Sequence, residues 1–410
     1  MSGLHILWVK SGPLFPLDTG GKRRSHAILN ELARSNQVTY LALLPQDQEI
    51  SSDEREASYA QEKVWIASSE PKKNSLRFYL EVLKNLFFSI TPVVLDRYRN
   101  FEMSQKISEF DASGRFDLIV CDFLTPATNF EFHEIKTPTV LFQHNVEAQI
   151  WKRMAQEKGN LLSRCYFQSQ YKRLWEAEKH LCSKFNGVIT VSPEDASRCR
   201  EDYDLDNVLG AVPTGVDTSF FSPPLNRSPQ KGLIGFLGSM DWMPNIDCVR
   251  YFAHDIFPLI RERYEDARFR IIGRNPTQAV KRLADNDGQI EITGTVEDVR
   301  PHLDDCEILV VPLRSGGGTR IKIFEAMAQG VPVVSTAIGA EGLPVINGET
   351  IIIADTPGSF ADAALEILVS PDKGAAIALN SRQKLVAEHS WATVTSSFMA
   401  LCYKVIPAKD

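Results

Sequence analysis

A chain of 410 residues, 43% hydrophobic and 24% charged, has the composition of an ordinary soluble globular protein and is long enough for two or three domains. Its formal net charge of −7 argues against a general binder of nucleic acid, while leaving room for a local basic cleft. No apolar run approaches the ~20 residues of a membrane-spanning helix, and the opening MSGLHILWVKSG lacks the cationic lead and long apolar core of a secretory signal. The seven cysteines, at 121, 165, 182, 199, 248, 306 and 402, form no CxxC pair and no zinc-spaced cluster with histidine. They are expected to be reduced, mostly buried thiols in a cytoplasmic protein.

Read in chain order, short apolar runs alternate with longer stretches of helical period, the pattern of a parallel sheet covered by helices. The predicted strands of the first half are 5–9, 38–44, 118–121, 139–142 and 187–191. Those of the second half are 233–237, 269–272, 290–293, 308–312, 331–334 and 349–353. Helical intervals include 24–33 and 246–260. Between the two series, 212–232 is rich in Pro, Gly and Ser and breaks the alternation, which marks a domain junction. The expected α/β organisation is one doubly wound domain over 1–211, a linker over 212–230 and a second domain over 231–390. Ligands in such folds bind beyond the carboxyl ends of the strands. The final stretch, about 391–410, spaces Trp391, Val394, Phe398, Leu401 and Val405 on one helical face that needs a surface, and it can return to the first domain.

Residues 314–335 read RSGGGTRIKIFEAMAQGVPVVS. The preceding run is a buried strand, and Thr319 is the expected N-cap of a helix ending at Gln329, with Gly330 beyond it. Gly316, Gly317 and Gly318 then fill a strand-to-helix turn, where unpaired backbone N–H groups and the helix dipole favour an anion. Arg320 and Lys322 place full positive charge at the helix end where a cation is normally unfavourable, which suggests an anionic ligand. Lys322 and Glu325 can share a face, with Ile321, Phe324 and Ala328 turned to the core. The spacing fits neither the P-loop nor G-x-G-x-x-G. A cation beside backbone donors, with a carboxylate one turn on, suits a nucleotide diphosphate next to a sugar diol. The plainer alternative is a tight turn with solvated cations.

PLRSGGGTRIKIFEAMAQGVPVVST resembles the donor-site signature of the retaining glycosyltransferases of family four (glycosyltransferase group 1). The resemblance covers most of the chain. GPLFPLDTGGKRR, at 12–24, resembles the glycine loop after the family's first strand. TVSPED at 190–195 and VPTGVD at 212–217 resemble the segments leading out of its first domain. FLGSMDWMPN at 236–245, IGR at 272–274 and TGTV at 293–296 resemble three strand ends of its second. The fold this implies is GT-B, two Rossmann-like doubly wound domains facing each other across a cleft. The activity it implies is transfer of a sugar, with retention, from a nucleotide-diphospho-sugar to a hydroxyl of a glycan or lipid-linked acceptor.

Carried over residue by residue, the resemblance gives Glu325 the ribose hydroxyls and the backbone of Thr319, Arg320, Ile321 and Lys322 the diphosphate. Two acceptor oxygens on Glu325 match a cis-diol. Gly238 and Ser239 lie at one family strand end, and Arg274 and Val296 lie where the family contacts the base. Gly20 and Gly21 let backbone approach the diphosphate or the sugar. His144, in QHNVE, lies where the family sets a histidine against the donor sugar, its ring often positioned by a polar neighbour. Glu147 is a weaker candidate for the acceptor, since it could equally cap the next helix. Two departures stand out. The family's sugar-contacting glutamate eight residues before Glu325 is Gly317, and its Arg and Lys after the first strand of the second domain fall at Ser239 and Asn245. Lys322, with Arg320 and Arg314, is then expected to supply the missing charge.

In such a reaction the anomeric C–O bond breaks through an oxocarbenium-like transition state, and charge builds on the leaving diphosphate. Preorganised helix N–H groups, Lys322 and Arg320 are the expected stabilisers. No strand-end Asp-x-Asp is visible; Asp304-Asp305 reads as a solvated turn, so no metal and no other cofactor is expected. The stretch 72–90, with Lys72, Lys73 and Lys84 among Leu, Phe and Tyr, is expected to pack Leu76, Leu80, Leu83 and Phe87 on its own domain. The alternative lays it as a basic amphipathic helix on the inner face of a membrane, where a lipid-linked acceptor resides. Rival readings are a nucleotide-sugar 2-epimerase on the same fold, a non-enzymatic sugar-nucleotide sensor and a pyridoxal-phosphate phosphorylase; no lysine stands in a setting that recommends the last.

Overall fold

The computed structural model describes residues 3–46, 48–69, 75–157, 161–315 and 321–407. Contacts divide the chain into two compact units, one of residues 1–213 with 394–410 and one of residues 214–393.

The first unit is built on seven strands: β1 His5–Lys10, β2 Gln37–Pro45, β3 Glu62–Ser68, β4 Leu118–Asp122, β5 Thr139–Gln143, β6 Gly187–Thr190 and β7 Val208–Ala211. They lie in the order β3-β2-β1-β4-β5-β6-β7 and every pairing is parallel. The central strands are buried along their length, as covered parallel strands must be, and so read as unbroken apolar runs. The second unit has β8 Leu233–Leu237, β9 Arg268–Ile272, β10 Ile290–Gly294, β11 Ile308–Val311, β12 Val333–Ser335 and β13 Ile352–Ile353. Their order is β10-β9-β8-β11-β12-β13, again all parallel. Each unit is thus Rossmann-like, a parallel sheet with helical crossovers.

Each sheet has its own core, one around Leu7, Ile119, Leu141 and Val188, the other around Ile234, Phe269, Leu309 and Val333. In the last helix, Trp391–Cys402, Val394 and Phe398 are buried, and the Phe398 ring lies 5.8 Å from that of Trp8 and 5.1 Å from that of Phe142. This segment therefore belongs to the core of the first unit.

Several expectations need correction. The first helix begins at Gly20, four residues before the predicted start, because Thr19 caps it by accepting from the N–H of Lys22 at 3.3 Å. The interval 246–260 is two α-helices, Met243–Tyr251 and Phe257–Arg261, joined by a π-helical turn at Phe252–Ile256. Pro258, which cannot donate to a continuing helix, follows this turn. Asp304 and Asp305 close the helix Arg300–Asp305 and are not a solvated turn. Asp304 accepts from Gln329 at 2.7 Å and Asp305 from Arg270 at 2.7 Å. The helix Leu76–Phe88 leaves Leu80 and Leu83 at 57% and 50% exposure, so these two do not pack on their own domain. The side chains of Leu76 and Phe87, and all of Lys72 and Lys73, lie outside the described residues. Six cysteines are buried, Cys165 is exposed, and all seven are unbridged. Among the described residues no helix is long and apolar enough to cross a membrane.

Candidate functional site

In the first sheet β1 and β4 are neighbours, and the strand order reverses between them. The carboxyl ends of strands at such a reversal open a crevice. Lys10 ends β1, Asp122 ends β4 and His144 follows the last residue of β5, so three chemistry-bearing side chains converge there. All three are buried. Lys10 Nζ donates to Asp122 Oδ2 at 2.6 Å and to Ser25 Oγ at 2.9 Å. Trp8 Nε1 donates to the same carboxylate oxygen at 3.0 Å. His144 Nε2 lies 2.8 Å from the other oxygen, Oδ1. Neither of these two atoms has another partner among the described residues, so the attraction between them is first of all electrostatic.

The protonation state follows from the far side of the ring. Arg24, in the second turn of the helix Gly20–Leu32, lies with Nη1 3.3 Å from His144 Nδ1. A guanidinium has no lone pair to accept with, so Nδ1 is the acceptor and the ring proton sits on Nε2, facing Asp122. Burial pushes the His144 pKa down to about 4 against the pull of Asp122, and Arg24 and Lys10 add to the depression. Burial would raise Asp122, but Lys10 and His144 outweigh it and hold the carboxyl well below the usual carboxylate range. His144 is therefore neutral, with both ring nitrogens engaged. Phe123 stacks on it at 3.8 Å and 19°. Phe123 has φ +76°, which a non-glycine residue rarely adopts. Gly21 is glycine because a Cβ there would stand 2.5 Å from Phe123 Cζ.

Glu147 begins the helix Glu147–Glu157 and does not cap it. The cap comes from Glu178, whose fully buried carboxylate accepts from the N–H groups of Glu147 and Ala148, both at 2.8 Å, and from Tyr203 Oη at 2.7 Å. Gln143, the residue before His144, also donates to Glu178. Burial raises both carboxyls to about 7.

The second sheet reverses between β8 and β11. Gly238 follows β8, and its N–H donates to Ile272 O at 2.9 Å. The strand ends are pressed so close that a Cβ on Gly273 would stand 1.7 Å from Gly238 O. Above Gly238 lies the ammonium of Lys322, from the second position of the helix Ile321–Ala328. It donates to Asn245 Oδ1 at 2.8 Å and stands 4.3 Å from the centre of the Phe236 ring. Arg274 Nε donates to Ser239 Oγ at 3.1 Å, and Ser239 Oγ donates to Asp241 at 2.5 Å. Gly238, Ser239, Arg274 and Lys322 are thus brought together at one reversal.

The other expected residues are placed differently. Arg314 forms a two-point ion pair with Asp247, at 3.0 Å from Nε, and lies 4.4 Å over the ring of Tyr251, so its charge is already matched. Val296 packs against the core of the second unit, and Glu325 is half-buried on the same helix as Lys322. Ile321 opens that helix. Gly317, Gly318, Thr319 and Arg320 lie outside the described residues. Lys10, Asp122 and Glu178 were missed from sequence. The first two directly follow the predicted strands 5–9 and 118–121, and a charge at the carboxyl end of a buried strand was the available signal. Glu178 lies within a long helix and gives no local signal.

Residues 231–370 match the family described as Glycosyl transferases group 1. A GDP-mannose-dependent alpha-(1-6)-phosphatidylinositol monomannoside mannosyltransferase of Mycobacterium tuberculosis is 26% identical over 232 residues, 51% of this chain and 59% of that protein. The chain spans 59–66% of the length of the first curated relatives it matches. Among solved structures, sucrose-phosphate synthase from Thermosynechococcus elongatus superposes with a TM-score of 0.66 at 15% identity, covering 98% of both chains. HepE of Anabaena, solved with UDP and glucose, superposes with a TM-score of 0.62 at 13% identity, covering 98% of this chain and 99% of that one. The fold is that of the GT-B glycosyltransferases.

Proposed function

We propose that the chain is a retaining glycosyltransferase that moves a sugar from a nucleotide-diphospho-sugar to a hydroxyl of a glycan, glycolipid or polysaccharide intermediate. The observation that carries this reading is the Lys322 ammonium set over side-chain-free Gly238 at the strand reversal of the unit that matches the group 1 family. A cation in that position meets a diphosphate whose nucleoside lies along the strand ends. Arg274 on its Ser239 seat adds a second cation. Glu325, one turn after Lys322, is assigned the ribose hydroxyls, and Arg320 is assigned the diphosphate together with Lys322.

In the proposed step the anomeric C–O bond to the diphosphate breaks and its electron pair stays on the leaving phosphate oxygen. The acceptor oxygen bonds to the anomeric carbon on the same face, and its proton passes to the departing phosphate. Lys322 and Arg320 offset the charge that develops, a contribution of roughly 3–4 kcal/mol per well-placed donor. Neutral, doubly engaged His144 is assigned to shaping the first unit's strand ends, beside Gly20 and Gly21, and not to proton transfer. No metal is assigned a part in the step.

The relatives' names set the assay, since one uses GDP-mannose and a structural neighbour was solved with UDP and glucose. Thermal shift against UDP, GDP and ADP, followed by UDP-glucose and GDP-mannose with a panel of glycan and lipid-linked acceptors, tests the reading. Acceptor-dependent release of nucleoside diphosphate with retained anomeric configuration by NMR is expected. Donor consumption without acceptor would indicate an epimerase, and binding without turnover a sensor. Absence of any nucleotide-induced shift sinks the proposal.

A further inference from the structure

Lysine carries its charge on four rotatable bonds, so a lysine that meets a ligand at a fixed point needs something to hold its ammonium there. At the end of β8 that holder is visible. Asn245 lies in the first turn of the helix Met243–Tyr251, 3% exposed. Its Nδ2 donates to Ser239 O at 2.9 Å, and this turns Oδ1 toward Lys322 Nζ at 2.8 Å. The Phe236 ring supports the ammonium from another side, at 4.3 Å. Gly238 completes the cradle, because a Cβ there would stand 2.8 Å from Lys322 Nζ and 2.7 Å from Asn245 Nδ2. An amide donates no charge of its own, so Asn245 orients the cation and leaves its charge undiminished.

We propose that Asn245 is the positioning residue for the Lys322 ammonium, and that the seat at the end of β8, rather than position 322 itself, fixes where the diphosphate's counter-charge stands. The role given to the charge rests on the donor-site reading above; the role of Asn245 in holding it does not. A lysine rooted at 245 starts where the amide already reaches the same point, so the charge is transferable between the two helices.

Two measurements on the full-length chain test this. The first follows acetylation of Lys322 by acetic anhydride, read by mass spectrometry. Asn245→Ala removes this hydrogen bond from the ammonium, and labelling is expected to quicken by roughly fivefold, the worth of one ordinary hydrogen bond. Asn245→Asp grips it more tightly and should slow labelling. Labelling unchanged in both variants overturns the positioning role, whatever the protein binds. The second measures UDP and GDP binding by calorimetry. Lys322→Ala is expected to weaken binding by roughly 30-fold or more. Asn245→Asp weakens it too, since its carboxylate cancels the charge it holds. The double variant Lys322→Ala/Asn245→Lys should recover to within about fivefold of the unaltered chain. A double variant that melts normally yet binds as poorly as Lys322→Ala overturns transferability. If the unaltered chain binds neither nucleotide, the donor-site reading falls and takes with it the role of the charge, while the labelling result alone decides the role of Asn245.

Discussion

His144 Nε2 lies 2.8 Å from Asp122 Oδ1 at the carboxyl ends of β5 and β4, with Arg24 on the opposite ring nitrogen. The ring therefore titrates far from its ordinary range, its pKa lowered to about 4. Between about pH 6.5 and pH 4 the unfolded chain takes up a proton that the folded ring refuses. Stability from this group is thus present above pH 6.5 and lost as pH falls toward 4, by up to about 3 kcal/mol. Histidine NMR should show one imidazole that does not titrate from pH 8 to pH 5.5 and keeps its proton on Nε2. A resonance that titrates near 6.5 would place His144 in solvent.

Lys10 and Asp122 form a buried ion pair at 2.6 Å. Removing one partner leaves an uncompensated charge, which costs about 3–5 kcal/mol, whereas removing both costs far less. Lys10→Met and Asp122→Asn should each destabilise strongly, and the double variant should be less damaged than the sum predicts. Urea melts of the four proteins give the coupling directly. Additive losses would show that Trp8 and His144 alone satisfy the carboxylate.

The buried strands were legible because covered parallel strands need apolar residues on both faces. β3 and β7 were not read, and both are edge strands. The sequence of β3, EKVWIAS, mixes charge with apolar residues, and β7 carries Gly210 at φ +152°. The helix Ile321–Ala328 was legible from its apolar period, but the seat of Lys322 was not, since it depends on an asparagine 77 positions away. The buried triad of Lys10, Asp122 and His144 joins three strands that are neighbours only in the sheet, so no spacing along the chain announces it.

Gly273 tests the closeness of the second unit's strand ends. A Cβ there would meet the backbone oxygen of Gly238 at 1.7 Å, and backbone cannot step aside as a flexible side chain can. Gly273→Ala should separate β8 from the turn after β9 and weaken the bonds from Gly238 N to Ile272 O and from Met240 N to Arg274 O. A loss of about 3 kcal/mol or more is expected. Calorimetric melting checks it, and a variant as stable as the unaltered chain would mean that these ends spread freely.

On the helix Leu76–Phe88 and just beyond it, Leu80, Leu83, Phe88 and Ile90 are exposed, the last two at 85% and 93%, and Lys84 lies exposed among them. Apolar side chains beside a lysine suit an anionic bilayer surface. Leu83→Ser and Phe88→Ser should change stability by no more than about 0.5 kcal/mol, as exposed substitutions do. Both should reduce flotation with phosphatidylserine vesicles. Equal flotation of variant and unaltered protein removes this face from membrane contact.

Glu178 gives a pH signature of opposite sign to that of His144. Its carboxyl is fully buried, and burial raises its pKa to about 7 even though two backbone N–H groups and Tyr203 donate to it. The folded state holds a proton that the unfolded chain releases above about 4.5, so stability from this group is full below pH 4.5 and is lost as pH rises through 7. Glu178→Gln keeps one accepting oxygen and removes the titration. It should therefore be most damaging at pH 5, with the gap to the unaltered protein closing by up to about 3 kcal/mol by pH 8. Melting the pair across that range checks the sign. A gap that widens toward pH 8 would mean that the helix N–H groups favour the carboxylate more than burial opposes it, and the cap on Glu147 and Ala148 would then be fully ionic.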